Sequence, residues 1–323
     1  MVLSNAQLLT TRTGAAEIRE ENGKLAPYRF GEHVRENVYP EGNRFHPATL
    51  QTSGVVSRFI TDSESVAFSY VVSTLSAIQS FDVWADNVFY ATQCCDPTEG
   101  RVEVKLPKGE KLITIYFPHH EDARIFDVTL DDGAGFANAP ARKHKILFIG
   151  DSITHGSTAA HASMTYAHQL SRMLDAEVVN QGIGGEGFHP DAVDNGLDFA
   201  PDLVSVSYGT NDWSHAPSFE DMKERAQGHL HALRAKYPNA EIAVILPIWR
   251  ADKETPKPTC TFEETHALLR ELAAEVNATA IDGCLLVPHV TEVFADNRLH
   301  PSAFGFQFYA ENLLPYFKKI LEK

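Results

Sequence analysis

The residues of this sequence best suited to chemistry are a serine, a histidine and an aspartate that lie far apart: Ser152, His300 and Asp296. A serine hydroxyl is a weak nucleophile until a base takes its proton, and imidazole titrates near neutrality. An aspartate can hold that imidazole and stabilise its protonated form. The backbone N–H groups of Ser152 and Gly185 and the side-chain amide of Asn211 are candidate donors to the resulting oxyanion. These residue types predict acyl transfer through a serine.

Most of these residues come soon after a predicted strand. An apolar run at 145–149 reads as a short buried strand, and it ends in the tight turn Gly150-Asp151-Ser152 before a helix. Gly185 follows the predicted strand 177–180, and Asn211 follows the next strand, 203–208. The remaining strands are 241–246 and 279–282, and His300 comes after the last of them and a loop. Ligands bind beyond the carboxyl ends of parallel strands, so these residues are expected to meet at one edge of the sheet.

Two different patterns of predicted secondary structure divide the chain. From Lys143 strands alternate with helices, predicted at 165–175, 218–236, 262–277 and 303–320. This alternation predicts an α/β fold with a parallel sheet and helices on both faces. Residues 1–140 instead carry short stretches rich in β-branched and aromatic residues, at 55–60, 66–72, 78–84, 88–90, 101–106, 111–117 and 125–130. They predict an antiparallel β-sandwich, such as a jelly roll, joined through a linker at 131–142. The predicted domains are therefore 1–140 and 141–323.

Four short blocks in the second domain resemble those of the SGNH (GDSL-type) hydrolases. They are Gly150-Asp151-Ser152, the turn that contains Gly185, Gly209-Thr210-Asn211-Asp212, and His300-Pro301 before the last helix. The resemblance covers about 143–323 and implies a flavodoxin-like three-layer α/β/α sandwich. It also implies Ser152 as nucleophile, His300 as base, and an oxyanion hole made by Ser152, Gly185 and Asn211.

The acidic residue departs from the family pattern. The family's acid usually lies three residues before the histidine, where this sequence has Asn297, whereas Asp296 lies four residues before it. Either the loop carries one extra residue and Asp296 still reaches the ring, or a backbone carbonyl orients His300. We favour Asp296.

A jelly-roll-like module ahead of such a domain resembles the arrangement in carbohydrate esterases that remove acetyl groups. The sequence also lacks a long apolar lid segment. We therefore expect a serine esterase that removes acetyl groups from a carbohydrate or a similar small polar ester, as a small molecule or an oligosaccharide. Lipase, thioesterase and arylesterase activities are the alternatives within the family. An alternative of another class is a glycan- or partner-binding protein with a degenerate hydrolase domain.

A dinucleotide-binding site is a rival interpretation of the glycine-rich turn. Residues 182–187 fit the pattern G-x-G-x-x-G after a strand. The pattern belongs on the first strand of its unit, however, and the next strand should end in an acidic residue. We therefore expect no cofactor. The other serine-hydrolase motif, G-x-S-x-G, is excluded because Thr154 holds its second glycine position.

Composition limits the classes of binding partner and the cellular compartment that we expect. The formal net charge of −15 argues against nucleic acid and against an anionic membrane surface as partners. The N-terminus has no signal-peptide pattern, and the four cysteines form no disulfide framework, so we expect a cytoplasmic protein. The fifteen histidines form no recognised metal motif, and no metal is expected. The oligomeric state is left open, with a homo-oligomer as an alternative.

Three further residues are candidates for contact with the substrate. Trp213 directly follows the Asn211 block and offers either a stacking platform for a sugar ring or plain packing. His155 and His189 lie near the proposed site in the sequence. Asp151, beside the serine, is expected to bond the amides of its own turn.

Overall fold

The computed structural model describes residues 1–73, 79–95 and 98–322. Its N-terminal part holds the helices α1 (Asn5–Thr11) and α2 (His46–Leu50) and a π-helical turn at Val34–Val38. The strands there are β1 (Arg12–Thr13), β2 (Glu17–Glu21), β3 (Lys24–Tyr28), β4 (Val56–Thr61), β5 (Ser65–Val72), β6 (Ser80–Ala85), β7 (Val88–Cys94), β8 (Glu99–Lys105), β9 (Lys111–Tyr116), β10 (Ala123–Leu130) and β11 (Ala137–Asn138). Residue 78, the start of the predicted strand 78–84, lies outside the described residues.

Antiparallel pairing organises this N-terminal part. One sheet runs in the order β1-β4-β9-β6-β7, with β11 also paired to β4, and a second runs β10-β5-β8. Side chains of both sheets share one buried core, as Phe59 of β4, Phe68 of β5 and Phe81 of β6 illustrate. Buried and exposed residues alternate along strands such as β8, because one face of each sheet covers this core and the other faces outward. The two sheets therefore form the predicted sandwich; a jelly-roll connectivity stays a prediction.

The stretch at 131–142 is not a free linker. Ala137 and Asn138 pair with Ile60 and Phe59 of β4, so the chain remains part of the first sheet up to that point. The turn residues of this stretch concealed the short strand, because two exposed residues carry no hydrophobic pattern. The domain boundary near residue 140 itself stays a prediction.

The C-terminal part is a parallel α/β sandwich. Its strands are β12 (His144–Gly150), β13 (Ala176–Gly182), β14 (Leu203–Ser207), β15 (Glu241–Ile245) and β16 (Thr279–Ile281). Its helices are α3 (Ser152–His155), α4 (Tyr166–Met173), α5 (Thr210–His215), α6 (Phe219–Lys236), α7 (Phe262–Glu275) and α8 (Ala303–Leu321), with 3₁₀ turns at Ala162–Met164, Pro190–Ala192, Gly283–Leu285 and Thr291–Val293. The sheet order is β13-β12-β14-β15-β16, and each pair is parallel.

Two buried cores explain why this sheet has helices on both faces. Ile146 and Phe148 of β12 point into a core shared with α4 and α8, whereas Leu147 and Ile149 point into a core shared with α6 and α7. Successive side chains of a strand point to opposite faces, so a continuous apolar run requires cover on both. The predicted α/β/α sandwich is confirmed. Within the described residues, no helix combines the length and the hydropathy needed to cross a membrane.

Buried hydrogen bonds join the N-terminal part to the C-terminal part at the carboxyl end of β13. The guanidinium of Arg29, which is fully buried, donates to the carbonyl oxygens of Asn180 and Gly182 at the end of β13. It also donates to the carbonyl oxygens of Ala48 and Gln51, each at 2.6 Å. The N-terminal part is thereby held directly against the strand end from which the glycine-rich turn departs.

Candidate active site

Ser152 lies on the sharp turn between β12 and α3. Asp151 caps this helix, since its Oδ1 accepts the N–H of Ile153 at 2.9 Å, and burial raises the pKa of its carboxyl to about 7. A Cβ on Gly150 would lie 2.2 Å from Oγ1 of Thr154 and 2.7 Å from the carbonyl oxygen of Ser207, so no side chain fits there. The turn thus fixes Ser152 at the carboxyl end of β12. The expected bonding role of Asp151 agrees with this geometry.

His300 reaches Ser152 from the loop before α8. Phe294 and Pro301 form an antiparallel bridge at the base of this loop, and the N–H of Ala295 donates to the carbonyl oxygen of His300 at 2.8 Å. The loop directs Nε2 of His300 to 2.9 Å from Oγ of Ser152. The two residues are 148 positions apart in the chain, and the structure brings them within hydrogen-bond distance.

Asp296 holds the other side of the imidazole. Its Oδ2 lies 2.8 Å from Nδ1 of His300, while its Oδ1 accepts the backbone N–H groups of Arg298, Leu299 and His300 at 2.8 to 3.1 Å. Partial burial would raise the pKa of Asp296, but the backbone N–H of Leu299, the His300 ring and the other two backbone donors together hold it well below its usual range. The carboxylate thus stays ionised beside the ring. The Nδ1–H then donates to Asp296, which leaves the Nε2 lone pair free to accept the Ser152 proton.

The extra residue in this loop takes a left-handed conformation. Asn297 has φ 54°, a region that asparagine enters more readily than most residues. Its N–H donates to the carbonyl oxygen of Phe294 at 3.1 Å, so the loop closes around it. Of the two alternatives left open by the spacing, the structure shows the one in which Asp296 reaches the ring.

The three candidate oxyanion donors surround the same cavity as Ser152 and His300. Ser152, Gly185, Asn211 and His300 all line this cavity, which has a volume of about 350 Å³ and which we call the serine cavity. Gly185 has φ 82°, which favours glycine, and the N–H groups of Ser152 and Gly185 bond no acceptor in the described part of the chain. Nδ2 of Asn211 donates to the carbonyl oxygen of Glu186 at 2.8 Å, which leaves its second N–H available.

Asp212 joins the glycine-rich loop that carries Gly185 to the start of α5, which carries Asn211, a role the sequence analysis missed. Its carboxylate accepts the N–H of Phe188 at 2.9 Å and that of Gly209 at 3.0 Å. A Cβ on Gly187 would lie 2.4 Å from the same carboxylate. Burial raises the pKa of Asp212, although these backbone bonds oppose the rise. The only signal in the sequence was its place beside Asn211.

The side chains of Trp213 and His155 are buried: the structure shows the packing alternative for Trp213, and the expected substrate contact of His155 is wrong. Trp213 is 0% exposed; its Nε1 donates to the carbonyl oxygen of Cys260 at 2.9 Å, and its ring packs edge-on against Phe262. His155 is 1% exposed, and its Nε2 lies 2.9 Å from the carbonyl oxygen of His119. The helical turns of α5 and α3 point these two side chains into the protein, away from the cavity. Sequence proximity to the site could not reveal that direction.

His189 lies beside a second cavity, next to the first. This cavity has a volume of about 430 Å³ and shares Gly185 with the serine cavity. Tyr39, Arg44 and Phe45 of the N-terminal part also line it. The N-terminal part therefore shapes the approach to Gly185. Whether His189 contacts a substrate stays a prediction.

Three cationic side chains line the serine cavity and are absent from the lining of the cavity beside His189. They are Arg250, Lys257 and Arg298, and the sequence analysis did not identify them as functional. The loop 247–261 that carries Arg250 and Lys257 has no motif and no periodic pattern. Only the tertiary structure brings these residues to Ser152.

One further group of potential ligand side chains lies elsewhere. His266, Asp282 and Cys284 place ligand atoms within 4.8 Å of one another, and none of them lines the serine cavity. Oδ2 of Asp282 is already bonded to Arg270 at 2.7 Å, and burial raises the pKa of the Cys284 thiol to about 11. An arginine beside the carboxylate and a neutral thiol both disfavour a cation.

Comparison with known proteins assigns the C-terminal part. Residues 148–308 match the family model described as the GDSL-like lipase/acylhydrolase family. A search of curated proteins finds no match.

Solved structures resemble the chain over nearly its full length. A salicylyl-acyltransferase from a tetracycline biosynthetic pathway has 22% identity and a TM-score of 0.86, covering 99% of this chain and 97% of its own. A GDSL-like lipase from Bacteroides ovatus has 20% identity and a TM-score of 0.83, covering 100% and 98%. A family two carbohydrate esterase from Cellvibrio japonicus has 17% identity and a TM-score of 0.71, covering 100% and 97%. At these identities the likeness shows a shared fold.

Proposed function

The chain belongs, through residues 148–308, to the GDSL-like lipase/acylhydrolase family and is an ester-hydrolysing enzyme, and on this premise we propose that it is a serine acetylesterase acting on acetylated carbohydrates. The observation that carries the proposal is the continuous hydrogen-bonded series from Asp296 to His300 to Ser152, at 2.8 and 2.9 Å. This series opens into a cavity lined by Gly185 and Asn211. Ser152 is the proposed nucleophile, His300 the base and Asp296 the residue that orients it.

The proposed reaction has two steps. Oγ of Ser152 attacks the acetyl carbonyl carbon while its proton passes to Nε2 of His300. The N–H groups of Ser152 and Gly185 and the amide of Asn211 stabilise the oxyanion; the carbohydrate oxygen then leaves with the proton from Nε2. Water attacks the acetyl-serine, His300 takes its proton and returns it to Oγ, and acetate is released.

The small volume of the serine cavity, about 350 Å³, supports a short acyl group. Ser214 and His215 from α5 line it, and Leu299 is the one apolar side chain among its lining residues. A long acyl chain needs an extended apolar surface to leave water. Two solved structures that share the fold are a family two carbohydrate esterase and an acetyl xylan esterase from Butyrivibrio proteoclasticus, the latter with 14% identity and a TM-score of 0.68 over 100% of this chain and 98% of its own.

A panel of esters tests this proposal. Acetate release is measured from acetylated xylose and cellobiose, and nitrophenyl acetate is compared with the butyrate and octanoate esters. We expect the acetyl ester to have the highest kcat/KM among the nitrophenyl esters and acetate to be released from the sugars. A preference for octanoate, or no release from any acetylated sugar, would contradict it.

Acyl transfer to an alcohol is a second candidate. The salicylyl-acyltransferase has the highest TM-score of the structures named above, 0.86, over 99% of the chain. In that case an acceptor hydroxyl takes the place of water in the second step. Mass spectrometry of reactions with added methyl glycosides distinguishes the two: an acetylated glycoside indicates transfer, whereas acetate alone indicates hydrolysis.

A further inference from the structure

The serine cavity carries an excess of positive charge. Arg250, Lys257 and Arg298 line it together with Ser152 and His300, and none of its lining residues is an aspartate or a glutamate. The chain as a whole has a formal net charge of −15, so this local excess runs against the overall balance. A cleft lined by one sign of charge focuses the field on whatever it binds.

A single carboxylate forms ion pairs with both Arg250 and Arg298. Asp252 accepts from Nε and Nη2 of Arg250 at 2.6 and 2.9 Å, and its Oδ2 also accepts from Arg298 at 3.1 Å. Two guanidinium groups therefore share one negative charge. Because Arg250 is only 2% exposed, water screens little of the positive charge that Asp252 leaves unpaired.

Arg250 is also held in a fixed position. Its guanidinium lies 4.7 Å from the ring centroid of Trp213, and its Nη1 donates to Oγ of Ser214 at 3.1 Å. The buried ring of Trp213 thus supports a cation at the cavity. A buried, oriented guanidinium is a built feature of the site, unlike a lysine at the end of a free chain.

Lys257 adds a second uncompensated charge. Its Nζ lies 5.1 Å from the ring centroid of Trp213, on the same ring that supports Arg250. In the part of the chain that the structure describes, no carboxylate oxygen lies within 4.0 Å of this ammonium. The cavity therefore holds an ammonium and two half-neutralised guanidinium groups beside the nucleophile.

Resting on the proposed function, we infer that the carbohydrate carrying the acetyl group is itself anionic, and that a carboxylate on it binds between Lys257 and Arg298. The planar fork of an arginine matches two carboxylate oxygens, and an exposed guanidinium edge remains on Arg298, whose side chain is 49% exposed. An acetylated sugar acid meets this requirement. A phosphorylated acetyl sugar shares the negative charge and is a second arm of the test.

Matched esters test this inference. Three substrates carry one acetyl group at the same hydroxyl: a methyl glucuronoside, a methyl glucoside and a methyl glucoside 6-phosphate. We expect kcat/KM for the glucuronoside to exceed that of the glucoside by roughly tenfold, mainly through KM, as complementary charges at a partly exposed site produce. The ratio should fall as NaCl rises from low to high concentration, because exposed charges are screened.

Substitutions of Lys257 and Arg298 test whether these residues cause the preference for the glucuronoside. Lys257→Gln and Arg298→Gln should each lower the glucuronoside-to-glucoside ratio by about three- to fivefold, the size of one partly exposed charge pair. Lys257→Glu should lower it further. The matched control is Lys108→Gln, which changes the net charge equally at a side chain that is 86% exposed and outside the cavity lining; its ratio should equal that of wild type.

The outcomes distinguish failure of this inference from failure of the proposed function. Equal kcat/KM for the glucuronoside and the glucoside in wild type, or a ratio unchanged in both cavity variants, overturns the inference and leaves the acetylesterase intact. A preference for the phosphate over the glucuronoside overturns the assignment to a carboxylate. Release of acetate from none of the three contradicts the proposed function. The inference is then decided by thermal shift, where methyl glucuronoside must stabilise wild type more than methyl glucoside does, and Lys257→Gln must reduce the difference.

Discussion

The carboxylate of Asp296 lies 2.8 Å from Nδ1 of His300 although it is four residues earlier in the chain. The same carboxylate accepts three backbone N–H groups through its other oxygen, so the loop and the ring are fixed by one group. The left-handed Asn297, with φ 54°, absorbs the additional residue.

This arrangement predicts very different effects at neighbouring positions. Asp296→Asn should lower kcat by roughly 10²- to 10⁴-fold, because an amide cannot stabilise the imidazolium and can hold the wrong tautomer. Asn297→Gly, which tolerates the positive φ, is the matched control and should stay close to wild type. Steady-state kinetics on an acetyl ester compares them. Equal small losses would mean that a backbone carbonyl can orient His300 without the carboxylate.

Asn211 offers a second kinetic prediction. Removing its amide in Asn211→Ala should lower kcat by about 10²- to 10³-fold with little change in KM, because the lost donor acts on the oxyanion. Ser214→Ala, in the same helix and cavity lining, is the comparison and should lose much less. A loss confined to KM would instead assign Asn211 to ground-state binding.

Two histidines at the junction of the two parts, half-buried His120 and buried His155, predict a dependence of stability on pH. The rings of His120 and His155 lie 4.3 Å apart between centroids. Burial lowers the pKa of His120 to about 4, with Arg29 adding to the effect, and burial lowers the pKa of His155 well below its ordinary value. Between about pH 6.5 and pH 4 the unfolded chain therefore binds protons at these rings, whereas the folded chain binds far fewer. This contribution leaves stability unaffected above that pH and lowers it as pH falls toward 4.

Urea unfolding at pH 7.5 and pH 5 measures this effect. At pH 5 the cost is about 1–2 kcal/mol for each such histidine. His120→Gln should therefore lose less stability between the two pH values than wild type does. His33→Gln, at an exposed position, is the control and should keep the wild-type difference. An unchanged difference in His120→Gln would contradict the assignment.

Strand and helix positions could be predicted from the sequence where one local pattern decides them. The apolar run that ends at Ile149 requires a strand buried on both faces, and the carboxyl-edge rule then places Ser152 beside Asn211, which follows the next strand but one. The approach of His300 was predicted because its residue type serves a serine. The family prediction is confirmed by the match over residues 148–308.

The remaining features depend on contacts between distant segments. Arg44 and Phe45 come to the neighbourhood of Gly185 because Arg29 anchors their segment to the end of β13. Arg250 and Lys257 reach the cavity from a loop without periodicity, where both lie over the ring of Trp213 and Arg250 also bonds Asp252. The direction of a side chain on a one-turn helix such as α3 is likewise set by packing, which is why His155 was assigned to the wrong side.

The central claim is that the hydroxyl of Ser152 attacks the ester. Its most direct test is the rate of acetate release from an acetylated sugar by wild type and by Ser152→Ala, with thermal unfolding of both as the check on folding. The account predicts that Ser152→Ala loses roughly 10⁴-fold or more in kcat while it unfolds at the wild-type temperature. Acetate release by a folded Ser152→Ala at a rate near that of wild type would contradict it.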